Sequence, residues 1–145
     1  MKKWPWPDEP PLVLAVDDQV PNLRLLGQVL TEAGIDVMPA NSGSKALSRL
    51  RAASPDLVVL DLRMPGLSGL DVLREIRADQ AWQDLPVILC TAAHEKPTLL
   101  RALSSGADDY LLKPFEPEEL LSRVALHAEL ARRRRLDQVA AHSPP

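Results

Sequence analysis

At 145 residues the chain suffices for one domain with a core that folds unaided. Apolar residues make up 46% and charged residues 26%, an ordinary globular balance, and a formal net charge of −3 argues against a surface built as a whole for nucleic acid or an anionic membrane. The single cysteine, Cys90, excludes an internal disulfide framework and reads as a buried, inert thiol, and no apolar run nears the ~20 residues of a membrane span.

Residues 1–11 carry four prolines among charged residues, with Trp4 and Trp6, and read as a flexible Pro-rich arm. The Met-Lys-Lys start lacks the apolar stretch of a secretory leader, so the cytoplasm is the expected location. Two patterns then alternate. Leu12 to Val16 is an unbroken apolar run, as in a strand buried on both faces, and Asp17-Asp18 follows it. Leu23, Leu26, Leu30 and Ala33 recur at helical spacing, opened by Pro21 and closed by Gly34. Ile35 to Ala40 is a second strand, and Pro39, which has no N–H to donate, puts it at a sheet edge. Ser42 to Ala53 reads as a helix with Ala46, Leu47 and Leu50 inward. Leu57 to Leu60 is a third buried strand ending at Asp61, and Leu62 to Ser68 is a loop. Gly69 to Ala78 is helical, Pro86 to Cys90 is a fourth strand ending at Thr91, and Pro97 to Ser105 is a short helix stopped by Gly106. Tyr110 to Leu112 is a fifth strand ending at Lys113-Pro114. The last helix runs from Glu118 to Arg135, ~27 Å if continuous, and its end should project past the body.

Five βα units in succession predict an α/β, flavodoxin-like fold: a (βα)5 doubly wound, five-stranded parallel sheet with right-handed crossovers. With the second strand at an edge, the order is 2-1-3-4-5. The domain spans residues 12–130, and 131–145 is an extension of the last helix with a disordered tail.

Ligands of such sheets bind outside the carboxyl ends of the strands. Asp17 and Asp18 follow strand one, Asp61 ends strand three, Thr91 ends strand four and Lys113 ends strand five. Strands one and three are neighbours in the proposed order, so three carboxylates converge. Like charges ~4 Å apart repel by ~4 kcal/mol at an effective dielectric of ~20, so the group needs a cation or shifted pKa values. All-oxygen ligands favour a hard ion such as Mg²⁺. A carboxylate nucleophile, a divalent metal, a lysine and a hydroxyl are the parts of phosphoryl transfer.

Singly, each residue has a bland reading: Asp17 and Asp18 as helix-capping residues, Thr91 as a strand end, Lys113 as a surface charge. Together they match a pattern. Val16-Asp-Asp18, Asp61-Leu-Arg-Met-Pro-Gly-Leu-Ser-Gly69, Thr91-Ala92, Gly106-Ala-Asp-Asp-Tyr110 and Lys113-Pro-Phe115 stand in an order and spacing that resembles the receiver domain of two-component response regulators, the CheY-like family. The resemblance covers roughly residues 12 to 130. It implies a cytoplasmic signalling switch rather than a turnover enzyme, whose only chemistry is self-catalysed phosphotransfer and slow autodephosphorylation. Asp61 would accept a phosphoryl group from a sensor histidine kinase or a histidine phosphotransfer protein. Asp18, Asp61 and the backbone carbonyl of Arg63 would ligate Mg²⁺ (or Mn²⁺), with Asp17 acting through water. Thr91 and Lys113 would hold phosphoryl oxygens, and a cis Lys113–Pro114 bond is implied. Tyr110 would be the aromatic switch that turns inward as Thr91 closes, its alternative role being a half-buried strand aromatic. The side chain of Arg63 either reaches over the site or lies in solvent.

The resemblance also implies readout through the helix 4–strand 5–helix 5 face, which in the family often forms a homodimer. Arg123 with Asp108 or Asp109 would pair across such a dimer, within the chain, or not at all. Arg132 to Arg135 reads as a solvated helix end, with a linker toward an output module as the sharper alternative. No direct contact with nucleic acid or membrane is expected. His94, His127 and His142 show no metal-ligand spacing. Two other classes compete. A receiver that works by binding without phosphorylation is opposed by the intact Asp18, Asp61, Thr91 and Lys113. A haloacid dehalogenase-type phosphatase would want a second Asp where Arg63 stands.

Overall fold

The predicted apolar runs lie side by side. In the computed structural model, which describes residues 9–142, a five-stranded parallel sheet has the order β2-β1-β3-β4-β5. Its strands are β1 (Leu12–Val16), β2 (Asp36–Ala40), β3 (Leu57–Leu60), β4 (Val87–Ala92) and β5 (Asp109–Lys113). Helices α1 (Val20–Glu32), α2 (Gly43–Ala52), α3 (Gly69–Ala78), α4 (Lys96–Ser104) and α5 (Pro117–His142) cover both faces. Trp4 and Trp6 lie outside the described residues.

Period-two alternation along the strands divides the core. Leu14, Val16, Val58, Leu60 and Leu89 pack with Leu47, Leu50, Leu73, Ile76 and Leu99 of α2, α3 and α4. Val13, Ala15, Val59, Ile88 and Cys90 pack on the other face with Leu26, Leu30, Leu120 and Val124 of α1 and α5. Edge strand β2 accepts Pro39 opposite Ala15, as expected.

The helix boundaries have local causes. Pro21 stands in the first turn of α1, and Gly34 (φ +84°) lets the chain turn away after it. Ser42 caps α2 by accepting from the Lys45 N–H, and Ser68 with Asp71 forms a capping box on α3. Two 3-10 turns, Gln80–Trp82 and Ala93–Glu95, were not foreseen. The second lies between strand four and helix four.

α5 corrects a second expectation. It continues past Arg135 to His142, 26 residues or ~39 Å, and its arginines are not simply solvated. Arg134 donates to the Asp84 carbonyl at 3.1 Å, Arg135 lies 3.4 Å from the Asp56 carboxylate, and Arg132 lies 3.8 Å from Glu9. These are loops entering β4, β3 and β1, so this stretch is tied back onto the body. α5 runs antiparallel to the sheet and so reaches those loops.

The approach of α3 to β3 positions the site. The Gly69 N–H donates to the Leu62 carbonyl at 3.0 Å, and a Cβ at position 69 would lie 2.2 Å from the Asp61 carbonyl oxygen. Leu62 and Met64, buried in the core, anchor the intervening loop. Gly69→Ala should therefore destabilise the fold by about 3 kcal/mol through backbone overlap. A urea unfolding curve checks this, and an unchanged midpoint would show that the loop yields.

Candidate functional site

Sheet geometry delivers each polar side chain to one end. The Asp61 N–H donates to the Val16 carbonyl at 3.0 Å, and the Asp17 N–H to the Ala40 carbonyl at 3.2 Å, so both aspartates leave the sheet still tied to its ladders. β1 and β3 are adjacent, and a carboxylate oxygen from each of Asp17, Asp18 and Asp61 comes within 4.8 Å of the others. Lys113, the last residue of β5, reaches across β4. Its Nζ lies 2.9 Å from Asp17 Oδ2 and 3.6 Å from Asp61 Oδ2.

The expected convergence of Asp17, Asp18, Asp61 and Lys113 is therefore observed. Asp17 is 1% exposed, and its other oxygen accepts from the Gln19 N–H at 2.9 Å. Asp61 is 7% exposed and accepts from the Arg63 N–H at 3.3 Å. Thr91 is buried on β4, one residue before the strand ends, and its hydroxyl oxygen has no hydrogen-bond partner. A buried hydroxyl without a partner carries a desolvation cost that a ligand oxygen would relieve.

The charges do not balance. Burial pushes the Asp61 pKa up from 3.8 to about 6; Lys113 opposes the rise, while Asp17 and Asp18 add to it. Burial works against the Lys113 ammonium too, but its hydrogen bond to Asp17 and the charges of Asp61 and Asp17 outweigh burial and raise its pKa. One ammonium faces three carboxylates, and all the side-chain donors are oxygens. That set fits a hard divalent cation. No other group of three or more potential ligands of this kind occurs among the described residues.

Tyr110 stands apart from the cluster, 38% exposed on the outer strand β5. The Lys113–Pro114 peptide is cis. Cys90 is buried beneath the site, and burial pushes its thiol up to about 12, as expected of an inert cysteine. Asp108 pairs with Arg77 at 2.9 Å. Arg123 lies 3.4 Å from Asp109 and donates to the Tyr110 carbonyl at 2.9 Å, and His127 lies 2.9 Å from Asp109. Of the open alternatives for Arg123, the chain adopts the intrachain pair. Of the two alternatives for the Arg63 side chain, it lies largely in solvent, where it pairs with Glu95 in the 3-10 turn after β4. Sequence reasoning missed Glu95, because nothing in a lone loop glutamate marks its partner.

The family model described as "Response regulator receiver domain" matches residues 13–125. A DNA-binding response regulator of Mycolicibacterium smegmatis, MtrA, is 43% identical over 112 residues, which are 77% of this chain and 48% of that protein. A DNA-binding dual master transcriptional regulator of Synechocystis, RpaA, is 39% identical over 133 residues, 92% of this chain and 54% of that protein. The chain thus spans about half the length of these curated relatives. The crystal structure of a response regulator from Chloroflexus aurantiacus superposes with a TM-score of 0.80 at 34% identity, covering 83% of this chain and 99% of that one.

The raised pKa of Asp61 has a measurable consequence without metal. The unfolded carboxyl ionises near 3.8 and the folded one near 6. Between those values the unfolded state gives up its proton first, so the fold loses stability as pH rises. Asp61→Asn should match the parent below the lower value and exceed it by about 1–2 kcal/mol above the higher one, solvent screening reducing the full shift. Urea unfolding in chelator across pH tests this; equal stability at every pH would refute the strain assigned to Asp61.

Proposed function

Since the chain belongs to the response regulator receiver domain family of two-component systems, we propose that it acts as an Mg²⁺-dependent phosphorylation switch with Asp61 as the phosphoryl acceptor. The observation that carries this reading is the buried Asp61 carboxylate beside Asp17, Asp18 and the Lys113 ammonium.

An Asp61 carboxylate oxygen attacks the phosphorus of a phosphohistidine on a sensor histidine kinase or phosphotransfer protein. The P–N bond breaks as the P–O bond forms, and the released imidazole takes a proton from solvent. Lys113, 3.6 Å from Asp61 Oδ2, neutralises one phosphoryl oxygen. The unpartnered Thr91 hydroxyl donates to another, which supplies the hydrogen bond it lacks. Asp18, Asp61 and the Arg63 carbonyl would hold Mg²⁺, or Mn²⁺ in its place, with Asp17 contributing through water. The ion supplies neutralisation of the developing phosphoryl charge.

The new charge, about −1.5 to −2, favours closure of Thr91 on the phosphoryl group. Tyr110 then has room to turn inward, which changes the face formed by α4, β5 and α5. That face is the proposed surface for a homodimer or an output partner. In this reading the protein is a switch, not a turnover enzyme. Its location is the cytoplasm, consistent with the absence of any helix among the described residues long and apolar enough to cross a membrane. Because the similar regulators MtrA and RpaA are DNA-binding, a DNA-binding output module is the first partner to test; the receiver itself is assigned no contact with nucleic acid.

With Mg²⁺ and acetyl phosphate, intact-mass spectrometry should show the gain of one phosphoryl group. Asp61→Asn should abolish it, and Lys113→Ala should slow it by about a hundredfold. Undiminished labelling of Asp61→Asn would place the acceptor elsewhere.

A further inference from the structure

The Arg63 guanidinium is 74% exposed, yet its partner Glu95 is only 13% exposed, beside the Arg63 Nη1 and 3.2 Å from His94 Nε2. Arg63 stands two residues after Asp61, and its N–H already donates to Asp61 Oδ1. Glu95 ends the 3-10 turn Ala93–Glu95, which joins the strand carrying Thr91 to α4. One ion pair therefore ties the acceptor's own loop to the segment between Thr91 and the readout helix. Glu95 bonds to no helix-capping donor: α4 begins without a side-chain cap. The pair with Arg63 and the contact with His94 are the ion pairs its carboxylate makes among the described residues.

We infer that Arg63 and Glu95 form a charge-operated latch that holds the Ala93–Glu95 turn and the start of α4 in the arrangement seen here, and that charge gained at Asp61 releases it. This deepens the phosphorylation reading and rests on it for the release step, though the latch itself exists without phosphate. The reason for release is competition. A phosphoryl group on Asp61 offers the guanidinium a doubly charged acceptor with bidentate geometry, against the single charge of Glu95. Glu95 then loses its main counter-charge, and the turn is free to follow Thr91. Arg63 is thus a positioning residue for the switch segment rather than a member of the reacting set.

Hydrogen exchange separates the latch from the chemistry. In the unphosphorylated, metal-free protein, Arg63→Ala and Glu95→Gln should each speed exchange of the amides from Ala93 to Leu99 by about two- to fivefold, the range of an exposed ion pair. Combining them should add nothing further, because either change alone removes the same interaction. Arg63→Glu with Glu95→Arg should restore slow exchange, a rescue that loss of unrelated packing would not give. Beryllofluoride with Mg²⁺ should speed exchange in the parent and have less effect in the single variants. Additive effects, or no rescue by the exchanged pair, would overturn the latch. If the latch signature holds but beryllofluoride changes nothing in the parent and acetyl phosphate adds no mass, the phosphorylation reading has failed and the release step with it. If mass is gained and Glu95→Gln exchanges like the parent, the latch alone has failed.

Discussion

One lysine set against three carboxylates governs this molecule. The Lys113 ammonium bonds Asp17 and stands 3.6 Å from Asp61, and the partly buried Asp18 adds a third carboxylate to the group. Burial first, and then the charges of Asp17 and Asp18, push the Asp61 carboxyl up against the pull of Lys113. Such a set of carboxylate oxygens fits a hard cation. The unpartnered hydroxyl of Thr91 is a second debt of the same kind, in hydrogen bonding rather than charge.

The fold exists to hold that strain in place. Strands buried on both faces leave the sheet no freedom to splay, and each delivers one polar side chain where its ladder ends. Backbone bonds from Asp17 to Ala40 and from Asp61 to Val16 extend the ladders into the site, so the backbone at these two aspartates is held by the sheet. Gly69 serves the same end, since only a residue without a Cβ brings α3 against the Asp61 carbonyl. At the far end of the sheet the arginines of α5 grip the loops entering β1, β3 and β4. The last helix is therefore braced at the end opposite the site.

The elements left looser lie on the other side. Tyr110 is partly exposed, and the turn leading to α4 is held by side-chain charge, with no helix cap. A fixed acidic cluster beside a segment held by an exposed ion pair gives a local change of charge somewhere to act, as the switch proposed above requires.

The sequence by itself determined the sheet order, the buried strands and the convergence of Asp17, Asp18, Asp61 and Lys113 at the strand ends. Buried parallel strands read as apolar runs, a proline marks an edge, and ligands collect at strand ends, all of which are local rules. The resemblance extended that to the cis Lys113–Pro114 bond, which no local rule requires. Only the tertiary structure decided that Arg63 meets Glu95, that Arg123 pairs with Asp109 within the chain, and that Arg134 and Arg135 turn back to Asp84 and Asp56. The physical reason is the same in each case. Long charged side chains choose partners by proximity in space, and their residue types fit solvent, a neighbour or a partner chain equally well. The end of α5 was missed for a related reason: its continuation past Arg135 carries no capping residue or proline to stop it before His142, and its docking on distant loops leaves no periodic trace in the chain.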